Sequence, residues 1–233
     1  MLEQLSNILI WAAVWSISWG IFFFLLYKKG LDYIKHFHWT AAYFVCVAIV
    51  TFFIFRAHVA RILQNFSATP LIVLGVVIFI HIILYTYLPK YLKEPKDYFE
   101  KYPKRQYLKI DRRRLLSKSM DILAQQVLVV LLVIFLKDAG LSLYQIIFAF
   151  AVIFGLVHAP LILFERGTWP SWYFTVFSIL SAIIFPILIL KVQYGFVYSY
   201  IVHWVFYTFT AVGFWLWYGK RQPPLNDGRQ LEF

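Results

Sequence analysis

Charge is scarce in this sequence. Only 14% of its 233 residues are Asp, Glu, Lys or Arg, while 62% are hydrophobic and 21% aromatic. That shortage excludes an ordinary soluble domain, where about a quarter of residues are charged, and puts the chain in the membrane class. Cysteine is nearly missing. The lone Cys46, set in an apolar run, excludes an intramolecular disulfide and a cysteine-rich zinc module. No polar stretch is long enough for a separate domain, and no internal repeat of the transporter kind is visible. A cleavable signal peptide is not expected, because no basic side chain precedes the first apolar run and that run is long enough to stay in a bilayer.

What the chain has instead is length of apolar sequence. Seven runs approach or reach the roughly 20 residues that cross a hydrocarbon core: 5–27, 39–55, 69–88, 119–136, 141–164, 169–190 and 196–218. The expected fold is all-α, a polytopic membrane bundle of about seven transmembrane helices. Its segments are three spans and a basic interfacial loop (1–110), a four-helix core (111–219) and a tail (220–233).

Lys and Arg set the expected orientation. If the loops after spans one, three and five share a side with the tail, that side holds eighteen of them and the other holds four, Arg56, Arg61, Lys137 and Lys191. The basic side is therefore expected in the cytosol, with the N-terminus outside. The same bias explains the net charge of +11 without invoking nucleic acid as a partner. An integral, multi-pass protein of a bacterial inner membrane or the endoplasmic reticulum fits this pattern. The basic break, 90–118, mixes cations with Tyr and Phe and is expected to lie along the membrane surface, near anionic lipid. The tripeptide Asn65-Phe66-Ser67 matches a glycosylation acceptor on the outer side, a pattern common by chance.

Inside the spans the informative residues are polar ones: His81, Asp121, Gln125, Gln126, His158 and His203. His81 reads as a packed residue, and Asp121 as a carboxylate favoured by the positive end of its helix. Ser117, Asp121 and Gln125 recur every four residues and share a face. Ser199, His203, Tyr207 and Thr210 form a polar stripe on the last span, and Pro160 follows His158 and is expected to kink its helix. No charged pair is expected deep in the bundle, so a transporter lacks support. A seven-helix photoreceptor lacks a lysine on span seven.

Three of these stretches carry a family resemblance. "QQVLVV" (125–130), "FGLVH" (154–158) and "HWVFY" (203–207) lie in that order on spans four, five and seven. They resemble the motifs Glu-Glu-x-x-x-Arg, Phe-x-x-x-His and His-x-x-x-Asn of the CAAX-processing and bacteriocin-processing intramembrane endopeptidases, the CPBP family. The likeness covers about 115–219, nearly half the chain. It implies a catalytic set at Gln125, Gln126, His158 and His203, with Phe154 and Tyr207 against substrate. It also implies zinc or a water held by His158 and His203, and a membrane-embedded or lipidated peptide as substrate, with membrane lipid around it.

The departures fall on the chemistry. Gln125 and Gln126 stand where the family has glutamates, Val130 replaces the arginine and Tyr207 the final polar residue. A neutral amide accepts no proton near pH 7, and losing a positioned base costs about 10²–10⁴ in rate. Two readings follow: an endopeptidase-like protein with a degenerate site, or a non-catalytic scaffold holding a lipid, prenyl chain or partner helix in the same cavity. Helix rise at 1.5 Å per residue adds a geometric demand. Gln125 stands about 10 Å above Lys118, and His203 about 25 Å above Lys220, so span seven must tilt or protrude for the two to meet.

Overall fold

Asp111 sets where the central helix begins. Its backbone is extended (φ −143°, ψ 138°), and its carboxylate accepts the Arg113 backbone N–H at 2.7 Å, capping one orphan donor of the first turn. The helix then runs from Arg112 to Asp138, seven residues earlier than the apolar pattern alone starts it. Gly140 (φ 87°) follows in the left-handed conformation and closes its far end.

The computed structural model describes residues 2–64, 67–103, 105–164 and 169–219. Asn65 and Phe66 of the glycosylation pattern, Arg166 and the tail 220–233 lie outside the described residues. The described residues form α1 (Leu2–Lys28), α2 (Phe37–Ile54), α3 (Arg56–Leu63), α4 (Thr69–Tyr91), α5 (Lys96–Lys101), α6 (Arg112–Asp138), α7 (Leu143–Phe164), α8 (Trp169–Lys191) and α9 (Gly195–Gly219), with no strand among them. Six of these are long and apolar enough to cross a membrane: α1, α2, α4, α6, α7 and α8. The seventh long helix, α9, interleaves Ser199, His203, Tyr207, Thr208 and Thr210 with its apolar residues and is not among the six. The chain is an all-α integral membrane bundle.

A helical stretch that is apolar all round belongs inside, and residues 127–136 of α6 are such a stretch. Leu128, Leu131, Leu132, Val133 and Phe135 are fully buried, and α6 touches each of the other six long helices. Close packing and interhelical hydrogen bonds hold such a bundle together in lipid. Trp11 on α1 donates its indole N–H to Leu128 O at 2.8 Å, and Tyr43 on α2 donates to Ser18 O at 2.5 Å. The peripheral helices turn Leu9, Ile17, Ile72, Phe79, Phe148 and Phe209 outward, as lipid-facing side chains must.

Both ends of the bundle are tied across helices. At one end Asp138 pairs with Arg61 of α3 at 2.5 Å. At the other, the basic end, Asp32 accepts the Gln106 amide at 3.0 Å, and Ser117 donates to Tyr33 O at 2.7 Å. The basic segment 90–118 also packs against the bundle. Phe99, Leu108 and Ile110 are buried against the last turns of α9, where Trp215 donates to Leu108 O at 3.0 Å. The segment sheathes a helix as well as edging the bundle. His81 is a packed residue, its ring stacked on Trp204 at 4.2 Å with Nδ1 2.8 Å from Val77 O. Pro160 lies inside α7, which continues to Phe164.

Candidate functional site

Beside α6, toward the basic end, lies a cavity of about 400 Å³. Two turns of α6 give it a polar edge: Lys118, Asp121 and Gln125, at helix spacing i, i+3 and i+7. Helices α7 and α9 add His158, His203 and Tyr207. Much of the rest of the wall is aromatic, with Trp15, Trp19 and Phe22 from α1, Phe154 from α7, and Phe174 and Phe177 from α8.

Asp121 anchors the polar edge. Its Oδ2 lies 2.6 Å from Lys118 Nζ and accepts the Tyr33 hydroxyl at 2.9 Å, while Oδ1 accepts the Gln125 amide N–H at 2.7 Å. It is the single carboxylate among the lining residues, and it is 1% exposed. Burial first, and then the charge of Asp121, push the Tyr33 hydroxyl well above its ordinary pKa, so it remains a donor. Lys118 Nζ also sits 4.0 Å over the face of Tyr207, a cation–π contact in a desolvated setting. This corrects two expectations: a charged pair does lie inside the bundle, and Asp121 does more than favour a helix end.

Of the six residues singled out by the resemblance, five line the cavity: Gln125, Phe154, His158, His203 and Tyr207. Gln126 does not line it. It points toward α9, donating to Ser199 Oγ at 2.7 Å and presenting its Oε1 to His203 Nδ1 at 3.1 Å. His158 Nδ1 is 2.8 Å from Phe154 O, and the Phe154 ring meets the imidazole edge-on at 4.5 Å. The polar stripe of α9 is used throughout, since Thr210 Oγ1 lies 3.0 Å from the Tyr173 hydroxyl.

The demand on helix heights is met by the length of α6. Lys118 does not mark the basic end of that helix, because α6 continues to Arg112. Counted from Arg112, Gln125 stands about 20 Å up, which leaves about 5 Å to reconcile with His203. Hydropathy hides Lys118, because the apolar run begins one residue after it. The signal was present as a Lys–Asp pair at i, i+3, a spacing that brings side chains together on a helix.

Two imidazoles are one ligand short of a catalytic zinc site. Asp121 is already held by three donors, and no group of three His, Cys, Asp or Glu gathers among the described residues. The donor set therefore does not fit zinc, and no step is assigned to a metal. In comparison with known proteins, no family model, no curated protein and no solved structure matches the chain.

Proposed function

We propose that this protein binds an amphipathic ligand, a membrane lipid or the lipid chain of a modified peptide, in the cavity beside α6 and does not hydrolyse it. The observation that carries this reading is the state of Asp121. A general base needs a free lone pair and a driving force to take a proton. Asp121 is tied to an ammonium, a phenol and an amide at 2.6, 2.9 and 2.7 Å, and the motif's glutamate positions are amides. What is left is a recognition site with aromatic walls and a polar edge, in the size range of small-molecule pockets, about 300–1,000 Å³. The basic end is assigned to the cytosol on the eighteen-to-four bias.

The endopeptidase-like reading stays as the second, favoured by the two imidazoles that line the cavity together. A cleavage assay separates the two. Purified protein in bilayers is offered prenylated and membrane-helix peptides, and the binding reading expects no turnover by wild type or by His158→Ala. Wild-type cleavage that disappears in His158→Ala would reinstate the endopeptidase.

A further inference from the structure

Resting on the reading of the cavity as a ligand site, we infer that its polar edge selects a head group that donates a hydrogen bond, an uncharged hydroxyl carried on an apolar chain.

A carboxylate only accepts, so Gln125 must turn its amide N–H toward Asp121. Its Oε1 is then left over, buried and without a partner. A backbone carbonyl also only accepts, so His158 carries its hydrogen on Nδ1, facing Phe154 O, and a neutral ring offers Nε2 as an acceptor. His203 is fixed by a longer relay. Ser199 donates to Phe196 O at 2.8 Å, so it accepts from Gln126 Nε2. Gln126 therefore presents its oxygen to His203, which must donate from Nδ1 and keep a lone pair on Nε2. Neither Nε2 has a protein partner among the described residues.

Several hydroxyl donors of the cavity are meanwhile engaged. The Tyr33 hydroxyl points to Asp121, and Ser178 and Ser181 donate to Thr175 O and Ser178 O at 2.7 and 2.6 Å. Lys118 gives one N–H to Asp121 and lies over the ring of Tyr207, which leaves two N–H groups for an acceptor. The Tyr207 hydroxyl, which also lines the cavity, can play either part. The cavity thus presents His158 Nε2 and His203 Nε2, two acceptors on two helices, while Gln125 Oε1 is sealed behind its wall.

A carboxylate or phosphate head has no proton to give the two imidazoles and meets the charge of Asp121. An ammonium would add a second cation beside Lys118. A hydroxyl donates to an imidazole and also accepts from Tyr207 or Lys118. The volume sets the chain length. At about 30 Å³ per water-sized group, a cavity of about 400 Å³ takes about a dozen heavy atoms.

The test uses full-length protein in bilayer nanodiscs and a diazirine-bearing dodecanol as photoprobe. Competitors are 1-dodecanol, its methyl ether and dodecanoate, each dosed by mole fraction of lipid. Dodecanol is expected to block labelling of the cavity faces of α7 and α9 at least about tenfold better than the ether, as one buried hydrogen bond allows. Dodecanoate is expected to compete worst. In His158→Leu and in His203→Leu the alcohol-to-ether ratio is expected to shrink, a comparison made within each variant and so insensitive to partial misfolding. Equal competition by alcohol and ether in wild type, or preference for dodecanoate, would overturn the hydroxyl and leave the cavity reading standing. No labelling of the cavity faces at all would remove both.

Discussion

Lys118 and Asp121 form an ion pair one turn apart on α6, with Nζ 2.6 Å from Oδ2 and both side chains almost wholly buried. A buried pair gains little net stability over apolar residues of the same shape, but breaking it leaves an uncompensated charge. Asp121→Asn is therefore expected to destabilise the bundle by about 3–5 kcal/mol. Lys118→Met added to Asp121→Asn is expected to recover most of that loss. Thermal unfolding in nanodiscs checks both, and an additive double mutant would show that the two residues do not act as a pair.

Arg114 is a second buried cation, and a less satisfied one. It is 1% exposed and donates from Nη1 to the Tyr85 hydroxyl at 2.5 Å, while Nε and Nη2 have no partner. Removing the phenol oxygen in Tyr85→Phe leaves the guanidinium with its cation–π contact alone. The expected cost is about 2–3 kcal/mol, typical of an orphaned charged donor. Arg114→Met in the same background is expected to restore stability. Unchanged melting in Tyr85→Phe would mean the guanidinium finds another acceptor.

The cap of α6 titrates. Burial pushes the Asp111 carboxyl up, but hydrogen bonds from the Arg113 side chain and backbone, with the guanidinium charge, outweigh it and hold the group below the ordinary carboxylate range. A pKa depressed by folding contributes stability above the unfolded value, about 3.9, and loses it as pH falls through the folded one. Loss of the cap is expected to cost about 1 kcal/mol, so melting temperature is expected to decline as pH drops below about 4. Asp111→Asn keeps a capping oxygen without the charge and is expected to remove this part of the pH dependence. An unaltered pH profile in Asp111→Asn would assign the acid sensitivity elsewhere.

How much of this was legible in the sequence depended on whether a signal lay within one segment. Helices α2, α4, α8 and α9 begin and end within three residues of their apolar runs, because hydropathy and helix length are local. The start of α6 was not local. Arg113, Arg114 and Lys118 lie before the apolar run, yet the helix includes them, each with a partner in Asp111, Tyr85 or Asp121. Two of those partners sit on α6 or at its cap, and the third comes from α4. In the same way, spacing placed Gln125 and Gln126 about 100° apart on α6, but only the positions of α7 and α9 decided that one faces the cavity and the other Ser199. The convergence of His158, His203 and Gln125 was readable from motif order. The neutralising pair beneath them was not.

Sidedness has a direct check. With Cys46→Ser as background, Tyr102→Cys in the basic segment is expected to react with a membrane-impermeant thiol reagent only from the cytosolic face. Gln64→Cys, at the end of α3, is expected to react only from the other face. Reaction of Tyr102→Cys from outside would invert the bundle.

Occupancy of the cavity is best read by native mass spectrometry of the protein released from bilayers. Wild type is expected to carry a single amphiphile-sized mass increment. Ser178→Phe, which fills the space between α8 and the imidazoles, is expected to abolish the increment while leaving the melting temperature within a few degrees. A wild type that emerges without any bound amphiphile, or an increment that persists with the cavity filled, would contradict a ligand site beside α6.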